Sequence, residues 1–291
     1  MPPRFPFRGP LPEILRARRI AEVLIRNGLG FVAERMGLTR FLPFWRSRTV
    51  GADAHTARLP FPVRFRRTLE ELGPTYIKLG QIMSTRPDLL PKEYIAELSK
   101  LLDSAPPAPT GAIVATIERE LEGSLTTLYA EFEREPIASA SIGQVHRATL
   151  HDGTLVVVKV QRPGVEDTML ADVSILRTQL RFLEDRSEAV RTYGVRDLVE
   201  EFTQSLRDEL DYTIEGRNAD QLRTALRDED VLVPRVIWER TTRRVITLTA
   251  LDGISLTDLD ELRTRGYDLA SIADRIARLY LTSIFVNGAF H

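Results

Sequence analysis

The chain has 291 residues, 43% of them hydrophobic, which is ample material for a core and too much for a disordered segment. Its 40 basic and 41 acidic residues leave a net charge of -1, so global charge does not argue for a nucleic-acid partner. Cysteine is absent, which excludes disulfides, thiolate catalysis and Cys-based zinc sites and suits a reducing compartment.

The first eleven residues carry four prolines and read as an irregular arm. They lack the apolar centre and small-residue cleavage site of a secretory signal, and no run reaches the ~18 to 20 apolar residues of a membrane span, so a cytoplasmic location is expected. Ile14, Ile20, Val23, Leu24 and Leu29 mark an amphipathic helix with arginines, including Arg16, Arg18 and Arg19, on its other face. That helix either packs on the domain or also touches a partner or the anionic inner face of a membrane. A polar link over 47–62 leads to a second helical block at 65–72, 76–85 and 91–102, with Pro74 at a helix start and prolines 106, 107 and 109 closing it. A further helix is predicted over 112–121.

Residues 137–148 then read as strand, tight small-residue loop and strand, and 155–160 as a third strand bearing Lys159. Helical patterns follow over 165–184 and over one long stretch, 195–227. Short strands are predicted at 235–239 and 243–249, with Leu251-Asp252-Gly253 as a turn. Ser255 or Thr257 can cap a next helix, and 269–286 is a largely apolar helix ending at Asn287-Gly288. There are no internal repeats.

Three constellations could carry chemistry. Lys159 sits where an ammonium could reach the phosphates of a ligand lying against the small-residue loop, although a lysine at a strand end is usually solvated. Downstream, 211, 215 and 218 share one face of the predicted long helix and Glu209 lies a turn before Tyr212, so a strand lysine and a helix glutamate can pair; the alternative is a solvated acidic face. Lys78 and Gln81 lie three apart on one helix, which by spacing alone is a common surface. The histidines His55, His146, His151 and His291 are dispersed, so no metal site is expected within the chain.

Taken together, these segments resemble the UbiB/AarF family of atypical kinases, a protein-kinase-like group tied to ubiquinone biosynthesis and lipid homeostasis. The resemblance rests on Lys78-Leu79-Gly80-Gln81 as the family's K-x-G-Q signature and on Ala138-Ser139-Ala140-Ser141-Ile142-Gly143-Gln144 as its alanine-rich loop. Lys159 followed by Val160-Gln161-Arg162-Pro163-Gly164 looks like its strand lysine, and Glu209-Leu210-Asp211 like its E-x-D motif. It covers about 65–291. It implies an α+β fold: a kinase-like N-lobe over 131–250, with a five-stranded antiparallel sheet and a long helix, after an arm over 1–60 and a helical extension over 61–130, and before the start of a helical C-lobe over 251–291.

The resemblance further implies ATP or ADP as ligand, covered by Ala138 to Gln144, with Lys159 on the phosphates and Glu215 as its partner, Glu209 being the second candidate. Lys78, Gly80, Gln81, Glu209 and Asp211 would occupy the place of a protein substrate. The activity would then be ATP hydrolysis or phosphorylation of a small or lipid-like molecule, in quinone or isoprenoid metabolism. His291 looks like the first residue of the family's catalytic loop, so its later aspartate, asparagine and Mg²⁺ ligands are not in this chain. From this, a fragment inactive by itself and poorly soluble is expected, with membrane lipid, quinone-biosynthesis proteins or a complementing C-terminal fragment as partners. The competing reading is a non-catalytic nucleotide-binding or scaffold module.

Overall fold

The computed structural model describes residues 11–42, 58–88, 90–101, 106–184, 195–227 and 229–288. The proline arm, most of the polar link, Leu89, Leu102, His55 and the closing stretch up to His291 lie outside the described residues. The chain divides into two compact units, one of 1–106, 140–142 and 163–207, the other of 107–139, 143–162 and 208–291.

The first unit is helical. Its elements are α1 (Leu11–Arg26), α2 (Gly30–Arg35), α3 (Phe61–Leu72), α4 (Pro74–Ser84), α5 (Lys92–Leu98), α8 (Val165–Glu184) and most of α9 (Val195–Glu209). Ala17, Ile20, Ala21 and Leu24 recur at helical spacing along α1 and are buried with Leu69, Leu72, Tyr76, Leu98 and Ile175. Arg18 and Arg19 point to solvent, as the pattern predicts, but Arg16 does not. Its guanidinium donates to Asp172 through Nε at 2.7 Å and Nη2 at 2.8 Å, and also to the Leu72 carbonyl. The Asp172 side chain is fully buried and accepts from Thr75 Oγ1 as well, so Arg16 serves as the charge partner without which that carboxylate would be buried alone. Ile82 of α4 is exposed.

The second unit is built on an antiparallel five-stranded sheet. The strands are β1 (Glu131–Phe132), β2 (Ala138–Ser139), β3 (Gly143–Thr149), β4 (Leu155–Gln161) and β5 (Val245–Thr249), ordered β1-β3-β4-β5 with β2 also on β3. Val156, Val158 and Val160 alternate onto one face of β4 and pack under Ile113 and Ile117 of α6 (Thr110–Glu120). Lys159 and Val157 face the other way. The four-residue α7 (Leu125–Leu128) leads into β1. The helices α10 (Tyr212–Ala225), α11 (Leu259–Thr264) and α12 (Leu269–Thr282) complete the unit, and a π-helical turn, Ser283–Asn287, follows α12.

Four expectations are corrected. The long helix over 195–227 is two, because Asp211 takes an extended conformation and caps α10 by accepting from Thr213 N–H at 3.0 Å. Asp211 therefore does not share a helix face with Glu215. The strand expected at 235–239 meets the sheet through an isolated bridge, Val236 to Leu248, after which Trp238–Arg240 turns in a 3-10 helix. The fifth strand is instead the unforeseen β1, fixed by Glu131 opposite Thr149 and Phe132 opposite Ala148. Asp258 and Asp268, not Ser255 or Thr257, cap α11 and α12. Among the described residues no helix is long and apolar enough to cross a membrane.

Candidate functional site

The end of β4 positions the site. Gln161 Nε2 donates to the Leu210 and Arg243 carbonyls at 2.7 and 3.1 Å, and the Tyr212 N–H donates to Arg243 O at 3.0 Å. These bonds dock the N-terminus of α10 on the sheet, and the Arg243 guanidinium lies 3.4 Å from the capping Asp211 carboxylate. Glu215, one turn into α10, then meets Lys159, two residues back from Gln161 on β4. Lys159 Nζ donates to Glu215 Oε2 at 2.7 Å. A carboxylate in a first helical turn is favoured by the positive end of the helix dipole, which adds to the attraction of the ammonium for Glu215.

The pair is not sealed. Lys159 and Glu215 side chains are 29% and 43% exposed, so the ammonium is aimed yet within reach of a ligand. Beneath it lies Tyr212, 1% exposed, with Nζ 4.7 Å from the ring centroid. Tyr212 is a site residue that sequence reasoning names only as part of a motif. Its signal is an aromatic directly after a capping aspartate, at the first position of the helix that carries the carboxylate. Glu209, the alternative partner, ends α9 and so stands on a different helix from Glu215.

Of the small-residue loop, Ala138 and Ser139 form β2 opposite Val145 and Gln144, Gly143 and Gln144 open β3, and Ala140, Ser141 and Ile142 group with the first unit. Ser139 Oγ accepts from Arg162 Nη2 at 2.8 Å, tying β2 to the end of β4. Gly143 is present for closeness. A Cβ there would collide with Tyr212 Oη and stand 2.8 Å from the Val160 carbonyl oxygen.

A cleft of about 440 Å³ opens on the sheet, lined by residues including Glu131, Arg147, Thr149, Leu155, Ala250 and Asp252. Thr149 pairs with both Glu131 and Leu155, and Leu155 alternates with Val157 and Lys159, so these side chains share the Lys159 face. Four residues of strand separate Leu155 from Lys159, roughly 13 Å. No three carboxylate or imidazole groups among the described residues converge into a metal site.

In the first unit, Lys78, Gly80 and Gln81 lie on α4. Gln81 Nε2 donates to the Leu101 carbonyl at 3.4 Å. A Cβ on Gly80 would collide with Leu101 and stand 2.7 Å from Leu69 Cδ1, so this glycine marks close packing of α4 on the core.

A family model described as the ABC1 atypical kinase-like domain matches residues 100–291. The Arabidopsis thaliana chloroplastic protein ACTIVITY OF BC1 COMPLEX KINASE 7 is 42% identical over 227 residues, covering 78% of this chain and 32% of that protein. An uncharacterised protein of Synechocystis sp. is 42% identical over the same length, covering 39% of its sequence. The chain thus spans about a third to two fifths of the length of these relatives. Among solved structures, Rv3197 of Mycobacterium tuberculosis, in complex with erythromycin, superposes with a TM-score of 0.53 at 28% identity, covering 74% of this chain and 54% of that one.

Proposed function

Because the chain belongs to the ABC1 atypical kinase-like family, we propose that its sheet unit binds ATP or ADP against the Lys159 face, with Lys159 on the phosphates and the base toward the cleft at Leu155 and Ala250. The observation that carries this reading is the 2.7 Å Lys159–Glu215 pair. A lysine bound to a helix carboxylate and seated over an aromatic ring has few rotamers left, which is what a phosphate-positioning ammonium requires. The roughly 13 Å between Lys159 and the cleft gives room for a nucleotide to lie along β4.

In this reading Lys159 neutralises charge on the phosphates, Glu215 and Tyr212 hold its aim, and the loop ends within the sheet unit, Ala138, Ser139, Gly143 and Gln144, border the ligand, with alanine stiffer than glycine at the first of them. The chemistry is ATP hydrolysis or phosphoryl transfer to a small or lipid-like molecule, serving ubiquinone or isoprenoid metabolism at a membrane surface. Mg²⁺ would neutralise the phosphates further when bound; among the described residues no three carboxylate or imidazole groups converge to hold it.

The test is calorimetric titration of the 291-residue chain with ADP and ATP, with and without Mg²⁺, beside a thermal shift. Ligand at a hundred times its Kd stabilises by about 2.7 kcal/mol. Lys159→Ala should abolish the shift. A wild-type chain whose melting point and heat signal do not respond to millimolar nucleotide would refute the proposal.

A further inference from the structure

The Gln144-Val145-His146 stretch carries a buried polar chain that the nucleotide reading leaves unused. The Ala108 N–H donates to Gln144 Oε1 at 2.8 Å, Gln144 Nε2 lies 2.9 Å from His146 Nε2, and His146 Nδ1 lies 2.9 Å from the Glu133 carbonyl oxygen. Gln144 is 1% exposed and His146 0%, and the imidazole stacks on Phe132 with ring centres 5.0 Å apart. The donor pattern has one solution. A backbone N–H can only donate, so Gln144 turns its oxygen to Ala108 and its NH₂ to His146. His146 Nε2 must then accept and carries no proton, which puts the ring proton on Nδ1, where it donates to Glu133.

We infer that His146 is a positioning residue whose neutral Nδ1–H tautomer clamps the Gly143–Gln144 root of the small-residue loop to the backbone at Ala108 and Glu133. A proton on Nε2 would face the Gln144 NH₂, and flipping that amide would only set its NH₂ against the Ala108 N–H. Either orientation opposes two donors in a buried place, so protonation releases the root. Gly143, packed without room on Tyr212, passes any shift of the root to the ring beneath Lys159. The role in ligand binding rests on the nucleotide proposal above.

Among the described residues the surroundings do not supply a counterion that would favour the imidazolium. Glu131 and Arg147 lie on the opposite face of the sheet by strand alternation, and Glu133 lines the cleft with them. On α6, Glu118 accepts from Leu125 N–H, and Glu120 is engaged by Thr242 and Arg244. The β4 neighbour opposite His146 is Val158, and Arg134 and Glu135 are exposed. Burial pushes the imidazole below its ordinary value, in the direction that keeps it neutral.

Long-range ¹H–¹⁵N spectra of the four imidazoles in the intact chain, taken between pH 5 and 8 without nucleotide, test the clamp directly. The signal lost in His146→Phe should show a protonated Nδ1 and a bare Nε2, and stay neutral below the free-histidine midpoint of about 6.5. In Gln144→Glu the second carboxylate oxygen can accept from an Nε2–H, so the midpoint should rise above that value. ADP affinity, read by calorimetry, should fall about fivefold as wild-type His146 protonates, one hydrogen bond's worth. An Nε2–H tautomer, or a midpoint untouched by Gln144→Glu, overturns the clamp. The expected tautomer with ADP failing to bind at any pH overturns the nucleotide proposal and the loop-positioning role with it, leaving the buried clamp as a feature of folding.

Discussion

Gly143→Ala is the most searching single substitution in the sheet unit. The position does not need a left-handed backbone; it needs the absence of a side chain, because a Cβ would collide with Tyr212 Oη and lie 2.8 Å from Val160 O and 3.4 Å from Val160 C. Val160 belongs to β4, paired with β3 on one side and β5 on the other, so its carbonyl has nowhere to go. Tyr212, 1% exposed, must yield instead. Overpacking of this kind costs about 1–3 kcal/mol, which in a protein of this size is a melting point lower by roughly 4–8 °C at the middle of that range. Moving the ring also takes it from under Lys159 Nζ, and losing a partly exposed cation–π contact of about 0.5–1 kcal/mol weakens ADP two- to fivefold. Gly111→Ala is the matched control, since nothing lies within 4 Å of its Cβ and it sits in the first turn of α6, where alanine is favoured by up to about 1 kcal/mol. The chain has two tryptophans, so a Trp45→Phe background leaves Trp238, which covers Gly216 on α10, to report unfolding by fluorescence. If the two alanine variants melt within a degree of each other and bind ADP alike, the close approach does not matter and the coupling from loop to lysine is wrong.

The remaining expectations separate stability from binding. Lys159→Met and Glu215→Gln break a pair that is partly exposed, so each should change unfolding free energy by less than about 1 kcal/mol while weakening ADP at least tenfold; a large loss of stability with unaltered binding would contradict that. Arg16→Met leaves the buried Asp172 carboxylate without its cation and should cost about 3–5 kcal/mol in denaturant melts, with Arg16→Met/Asp172→Asn recovering part of it. His146 contributes a pH term whose sign is fixed by its lowered pKa. As pH falls below about 6.5 the unfolded chain takes up a proton the native ring refuses, so stability declines until the native value is reached, and His146→Phe should remove that component of the slope.

The sequence carries its strongest information where local pattern and tertiary role coincide. Val156, Val158 and Val160 alternate with Val157 and Lys159, so β4 and the face that bears the lysine are readable from period alone. Pro74 after Gly73 marks a helix start because proline suits the first turn, and α4 begins there. What is not readable depends on distant partners. Arg16 looks like any arginine on a basic helix until Asp172, 156 residues away, is seen to need it. His146 looks like a core histidine until the Ala108 N–H fixes the orientation of Gln144. β1 is only two residues long, too short to show a period.

The break at Asp211 shows why the Lys159–Glu215 pairing does not depend on the helix drawn through it. Apolar residues at Phe202, Leu206, Leu210 and Tyr212 keep a buried pattern across the junction, so periodicity runs on where the backbone does not. An aspartate followed by Tyr-Thr can cap as well as continue, and tertiary docking decides: Gln161 occupies the Leu210 carbonyl, leaving Asp211 to begin a new helix. The new helix starts from a residue held against β4, so Glu215, one turn in, is placed by the sheet and not by the phase of α9. The register of Glu209 is inherited from α9, whereas that of Glu215 is reset at the cap. Moving the cap should therefore move the partner: Asp211→Ala should lower stability by about 1 kcal/mol and weaken ADP more than any change at Glu209, and equal effects from the two would mean that α9 and α10 act as one helix after all.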